Sequence, residues 1–129
     1  MRKYITIILF FLALSAYSRD WSAVVSAIAQ VESKGDARAV NGDAVGILQI
    51  RPVLVRDINR ILKLRKSDKH YTLNDRYDPA KSREMFEIYQ SYYNPSGSVE
   101  KAIRLWNGGS GYTVRGTQAY YNKVRRAMK

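Results

Sequence analysis

Trp21, Val25, Ile28 and Glu32 follow one another at intervals of four, three and four residues, which places them on one face of an α-helix. Where that stripe asks for a further apolar residue, it carries a carboxylate. Asp20 stands ahead of the stripe as a capping residue. The predicted helix runs to about Ser33, with Val24 and Val31 also apolar and Gly35 as its stop. Residues 34–45 are polar and rich in turn formers, and Asn41-Gly42-Asp43 predicts a tiny hairpin. Val45–Ile50 is apolar except for Gln49. Pro52 suits the first turn of a second helix, with Leu54, Val55, Ile58, Ile61 and Leu62 facing the core. A charged loop is expected from about Lys63 to Tyr77. Asp78-Pro79 then reads as the N-cap and first residue of a third helix, whose apolar face is Met85, Phe86, Tyr89, Tyr92 and Tyr93. Asn94-Pro95-Ser96-Gly97 breaks it. Ser98 caps a fourth helix carrying Val99, Ala102, Ile103 and Trp106, ended by Asn107-Gly108-Gly109. A glycine-rich loop leads to a last helix from about Thr117, with Tyr121, Val124 and Met128 on one side. The pattern contains no internal repeat and no linker. It predicts one mainly α domain over residues 19–129, with about five helices and at most a small β-hairpin near residues 40–46.

The first residues read differently. Met1-Arg2-Lys3, an apolar run from Tyr4 to Leu14 and Ser15-Ala16-Tyr17-Ser18 form a charged region, a hydrophobic region and a small-x-small cleavage site. Residues 1–18 are therefore expected to be a signal peptide, cut after Ser18, and the mature protein to be periplasmic or secreted. The run is short for a transmembrane helix. An uncleaved N-terminal anchor is the competing reading.

Composition narrows the chemistry. The chain of 129 residues has no cysteine, which excludes disulfides, a thiol nucleophile and cysteine-based zinc sites. Its one histidine, His70, lies in the polar stretch Lys66-Ser67-Asp68-Lys69-His70 and reads as a solvated loop residue. Metal chemistry and histidine-dependent chemistry are discounted together, and no metal or cofactor is expected. The formal net charge is +11, and +9 once Arg2 and Lys3 leave with the signal. Such a charge draws a protein to polyanions, among them the carboxylates of peptidoglycan and anionic polymers and lipids of the envelope. The Lys/Arg-rich stretch Arg60–Lys69 reads as a solvated face, and Trp106 as core.

Glu32 is the residue with the clearest chemical use. A carboxylate on a core-facing stripe loses hydration, and its pKa rises. That produces a general acid still protonated near neutral pH.

Three further segments bear on that role. Glu32-Ser33 at a helix end, Gly46-Ile47-Leu48-Gln49 after a turn-rich loop and Leu105-Trp106-Asn107-Gly108-Gly109 resemble, in order and spacing, the signature motifs of soluble lytic transglycosylases. Tyr121 with Val124 resembles the closing motif of that family, and the resemblance spans roughly Trp21 to Met128. Leu48 stands where the family usually has Met, and Leu105-Trp106 where it has Ala-Tyr. The resemblance implies a lysozyme-like fold and cleavage of peptidoglycan glycan strands. It implies that Glu32 is the catalytic acid/base and that Ser33 orients the glutamate or the substrate acetamido group. Gly46 would allow close approach of the backbone to the sugar, Gln49 and Asn107 would line the cleft, and Tyr121 would support the glutamate. Implied too is a single-carboxylate route to a 1,6-anhydromuramoyl product. The expected partners are peptidoglycan glycan strands, with possible peripheral association with the envelope, no nucleic acid, and a monomeric protein.

Two readings compete. A lysozyme-type hydrolase would need a second carboxylate, for which Asp43 is the best candidate and Asp36 the next. A non-catalytic basic binder of wall or nucleic acid would need only the charge and the aromatic residues.

Overall fold

In a computed structural model, residues 19–129 are described; the segment read as a signal peptide, residues 1–18, lies outside them. The described residues form five α-helices and one two-stranded ribbon: α1 Ser22–Ser33, β1 Val40–Asn41, β2 Ala44–Val45, α2 Pro52–Leu64, α3 Pro79–Tyr93, α4 Val99–Gly108 and α5 Val114–Ala127, with a 3-10 turn at Leu73–Tyr77. This is the mainly α class that the periodicity predicts. No helix of the described residues is long and apolar enough to cross a membrane.

The helix starts follow local chemistry. Asp78 accepts from the amides of Ala80 and Lys81, and Pro79 occupies the first turn of α3. Ser98 caps α4 through the Lys101 amide. At α1 the Asp20 carboxylate accepts from the Ser22 amide at 2.9 Å, although Trp21 is the residue at the N-cap position. Two expectations needed correction. The last helix begins at Val114 rather than near Thr117, because Thr113 caps it by accepting from the Gly116 amide. The stretch expected as plain loop to Tyr77 ends in a 3-10 turn closed by a reciprocal Thr72–Asp75 capping box.

β1 and β2 are antiparallel, with Val40 opposite Val45 and Asn41 opposite Ala44. Val45 and Ile50 then exchange both backbone hydrogen bonds, which closes residues 46–49 into a tight turn. Leu48 and Ile50 carry that turn into the core, beside Ile28, Ile58, Met85, Phe86 and Ile103. The ring of Phe86 meets Trp21 edge-on at 5.7 Å and Trp106 at 5.0 Å. α5 packs on both α1 and α4, which brings the end of the chain to the end of the first helix.

Candidate active site

A cleft of about 860 Å³ opens beside the last turn of α1. Its lining comes from five places: Glu32 on α1, Asn41, Ala44, Gln49 and Ile50 of the ribbon and turn, a face of α2, Tyr89 on α3, and Leu105, Trp106, Asn107 and Gly109 at the end of α4.

Glu32 is half-buried in the cleft, one helical turn beyond the buried Ile28. Tyr120 on α5 donates its hydroxyl to Glu32 Oε2 at 2.9 Å. Burial pushes the Glu32 carboxyl above the usual carboxylate range; the Tyr120 hydrogen bond and the charge of Arg51 oppose the rise without cancelling it. The Tyr120 hydroxyl is itself held strongly neutral, by burial first and by the neighbouring Glu32. This pair is a protonatable carboxylate with a fixed donor on one oxygen.

The tyrosine that reaches Glu32 is therefore Tyr120, not Tyr121. The Tyr121 ring faces the Arg104 guanidinium at 4.4 Å, and its hydroxyl accepts from Arg125 at 2.8 Å. Arg104 is buried, and it bonds Glu100, the Val114 carbonyl, Thr117 and Gln118, so it locks α4 to the start of α5. Tyr121 thus belongs to the joint that fixes α5, while Tyr120 projects from that helix to the carboxylate.

Gly46 also serves a different need from the one expected. It is buried with φ +86°, and a Cβ there would lie 1.9 Å from the Arg76 carbonyl oxygen. The close approach is to the protein's own backbone, and Gly46 is not among the lining residues of the cleft. Arg76 is buried beside it, and its guanidinium donates to the carbonyl oxygens of Leu73, Asp43 and Ile50. The 3-10 turn thereby clips the ribbon at both ends.

Ser33 and Gln49 shape the same region. The Ser33 hydroxyl lies 2.8 Å from the Ile47 carbonyl oxygen and 3.1 Å from that of Ala29, linking the end of α1 to the 46–49 turn. Gln49 does line the cleft, at φ +53°. Its amide nitrogen donates to the carbonyls of Ala39 and Gly46, and its oxygen accepts from Asn41 at 2.8 Å. Asn107 lines the cleft and is exposed. Trp106 packs on the core as expected, but it also lines the cleft and donates its indole N–H to the Leu48 carbonyl at 3.0 Å.

The transglycosylase SLT domain family matches residues 9–128. The chain belongs to that family. No curated protein and no solved structure matches it.

Within this SLT domain, the cleft holds a second carboxylate that the sequence pattern did not single out. Asp57 on α2 accepts from Tyr93 at 2.6 Å and pairs with Arg60 at 2.7 Å. Asp43, the candidate second carboxylate, is exposed, pairs with Arg51 at 3.2 Å and is not a lining residue. Asp36 is likewise exposed and outside the lining. Arg51, Arg56 and Arg60 also face the cleft, so Arg60 is more than part of a solvated stretch. His70 is exposed. Among the described residues no group of three His, Cys, Asp or Glu side chains could hold a metal ion.

Proposed function

We propose that this chain is a peptidoglycan lytic transglycosylase that cleaves the β-1,4 bond between N-acetylmuramic acid and N-acetylglucosamine, with Glu32 as its single general acid/base. Membership of the SLT family supports the reaction class and the peptidoglycan substrate. The observation that carries the finer reading is the half-buried Glu32 carboxyl, raised in pKa and held by Tyr120 on the wall of an open cleft.

In this reading protonated Glu32 gives its proton to the glycosidic oxygen, and the C1–O bond breaks. The acetamido group of the muramoyl sugar stabilises the cationic carbon. Glu32, now ionised, takes the proton of the muramoyl 6-hydroxyl, and that oxygen bonds C1. The carboxyl ends protonated, no water is consumed, and the product is a 1,6-anhydro sugar. An intramolecular nucleophile needs no second protein base. The ties of Asp57 to Arg60 and Tyr93, and the place of Asp43 outside the lining, favour this route over a two-carboxylate hydrolase. Ser33 and Gln49 act in it by holding the turn beside the cleft, and Asn107 by offering its amide to the sugar.

The charged start, apolar run and small-x-small site of residues 1–18 support export by a cleavable signal, and in this reading the enzyme acts in the periplasm or outside the cell. Mass analysis of the products from purified peptidoglycan tests the assignment. Muramoyl ends lighter by one water than reducing ends are expected. Reducing-end muropeptides as the main product would overturn the transglycosylase reading in favour of a hydrolase.

A further inference from the structure

One wall of the cleft is a single helix face. Val53, Arg56, Asp57 and Arg60 recur along α2 at intervals of three, one and three residues, and all four line the cleft. Charge is not balanced there: the lining carries three guanidinium groups and two carboxylates, one of which is Glu32. Two of the guanidiniums have partners. Arg60 pairs with Asp57, and Arg51 pairs with Asp43. Arg56 is exposed and makes no ion pair or hydrogen bond through its side chain among the described residues. Val53, one turn before it, is an exposed apolar residue, 60% accessible, on the same wall.

We propose that Arg56, with Val53 beside it, is a subsite for the carboxylate-bearing side arm of the glycan. A glycan of acetylated amino sugars alone offers this wall no charge. A muramoyl sugar adds a lactyl arm, which bears either a free carboxylate or, in amide linkage, a peptide whose own carboxylates lie further out. Either arm sets a methyl group near an anion, which complements Val53 and Arg56. A planar guanidinium suits a carboxylate because it can present two parallel N–H donors. The partnered Arg60 and Arg51 keep the flanks of the subsite near neutral, so the anion is drawn to one position on the wall. The proposal rests on the glycan-cleaving reading of the same cleft.

The test compares the unmodified full chain with Arg56→Gln on two soluble substrates, glycan strands bearing peptide stems and strands stripped of them by an amidase, with chitotetraose binding as an uncharged control. Arg56 is exposed and outside the core, so the substitution leaves the fold in place. KM for a carboxylate-bearing strand is expected to rise roughly fivefold at low salt with kcat kept, as for loss of one charge-assisted contact in a wet cleft. Added salt should bring the unmodified chain toward the variant, and chitotetraose affinity should not change. A penalty confined to stem-bearing strands assigns the peptide carboxylates, and one confined to stripped strands assigns the lactyl carboxylate. Either upholds the subsite. An unchanged KM on both strands, with cleavage intact, overturns it while leaving the glycan-cleaving reading standing. Failure of the unmodified chain to cleave either strand overturns both.

Discussion

Replacing Tyr120 by Phe, with Tyr121→Phe as its twin, isolates what α5 does for Glu32. The Tyr120 hydroxyl lies 2.9 Å from Glu32 Oε2 and opposes the rise that burial imposes on the carboxyl. Removing it leaves burial resisted by Arg51 alone, so the pKa of Glu32 must move further up. A hydrogen bond to a charged acceptor contributes about 1.5–3 kcal/mol. The neutral carboxyl can keep part of that bond through its carbonyl oxygen, so the difference between the two protonation states is about half as large. On the alkaline side of the profile, where the protonated fraction limits turnover, that difference raises kcat/KM roughly three- to tenfold at a fixed pH. The readout is kcat/KM against pH on soluble glycan strands. Turnover that needs protonated Glu32 falls as pH rises through its pKa, so the alkaline limb of the profile should move to higher pH in Tyr120→Phe. Tyr121→Phe keeps the ring that faces Arg104 and loses only a hydroxyl that accepts from Arg125, so its alkaline limb should stay in place. An alkaline limb that moves in Tyr121→Phe and not in Tyr120→Phe would refute the reasoning.

Glu32→Gln should lower turnover on the order of 100-fold or more, because the amide can neither give nor recover the proton. Its folded-state pKa is raised, so the contribution of Glu32 to stability is greatest below its unfolded pKa and is lost as pH rises through the folded value. Melting curves near neutral pH should therefore show the Gln variant as stable as the parent or more so; a clearly lower Tm would mark Glu32 as a structural, paired carboxylate. Gly46→Ala forces a Cβ to 1.9 Å from the Arg76 carbonyl at φ +86°, and chemical denaturation should register a loss of at least about 2 kcal/mol. Asp43→Asn removes an exposed partner of Arg51 and should leave the glycan cleavage rate within about threefold of the parent, the scale of one surface ion pair. A near-dead Asp43→Asn enzyme would restore the two-carboxylate mechanism.

The helices were legible because each has both a stripe and a punctuation mark. Trp21, Val25 and Ile28 are buried as their spacing requires, and Asp78-Pro79 and Ser98 begin α3 and α4 where their side chains can accept from free amides. The position of Glu32 followed from the same period. The tyrosine did not. The buried Thr117 and Val124 mark the inner line of α5, and Tyr120 and Tyr121 sit on either shoulder of it, both half-buried. Helical phase alone cannot choose between two shoulders. The choice is made by how α5 is rotated against α1, which depends on Arg104 and its contacts with Val114, Thr117 and Gln118. Gly46 was visible as a special position, but what approaches it comes from thirty residues away, at Arg76. The α2 wall was missed for a related reason. An exposed arginine on a helix reads the same whether it faces bulk water or a cleft, and only the placement of the 46–49 turn and the end of α4 opposite α2 makes it a cleft.

Glu32 and Tyr120 lie 88 residues apart in the chain, on the first and the last of the described helices. A single domain of this size folds as a unit, once all of its helices are available. Until α5 is available Glu32 is therefore a carboxylate without its donor. The acid appears only when α5 settles across α1 and α4. Local opening of α5 would reverse the event by taking the Tyr120 donor away from Glu32. In the proposed mechanism competence is thus a late property of the fold: a chain whose α5 is not yet docked carries the carboxylate without its donor.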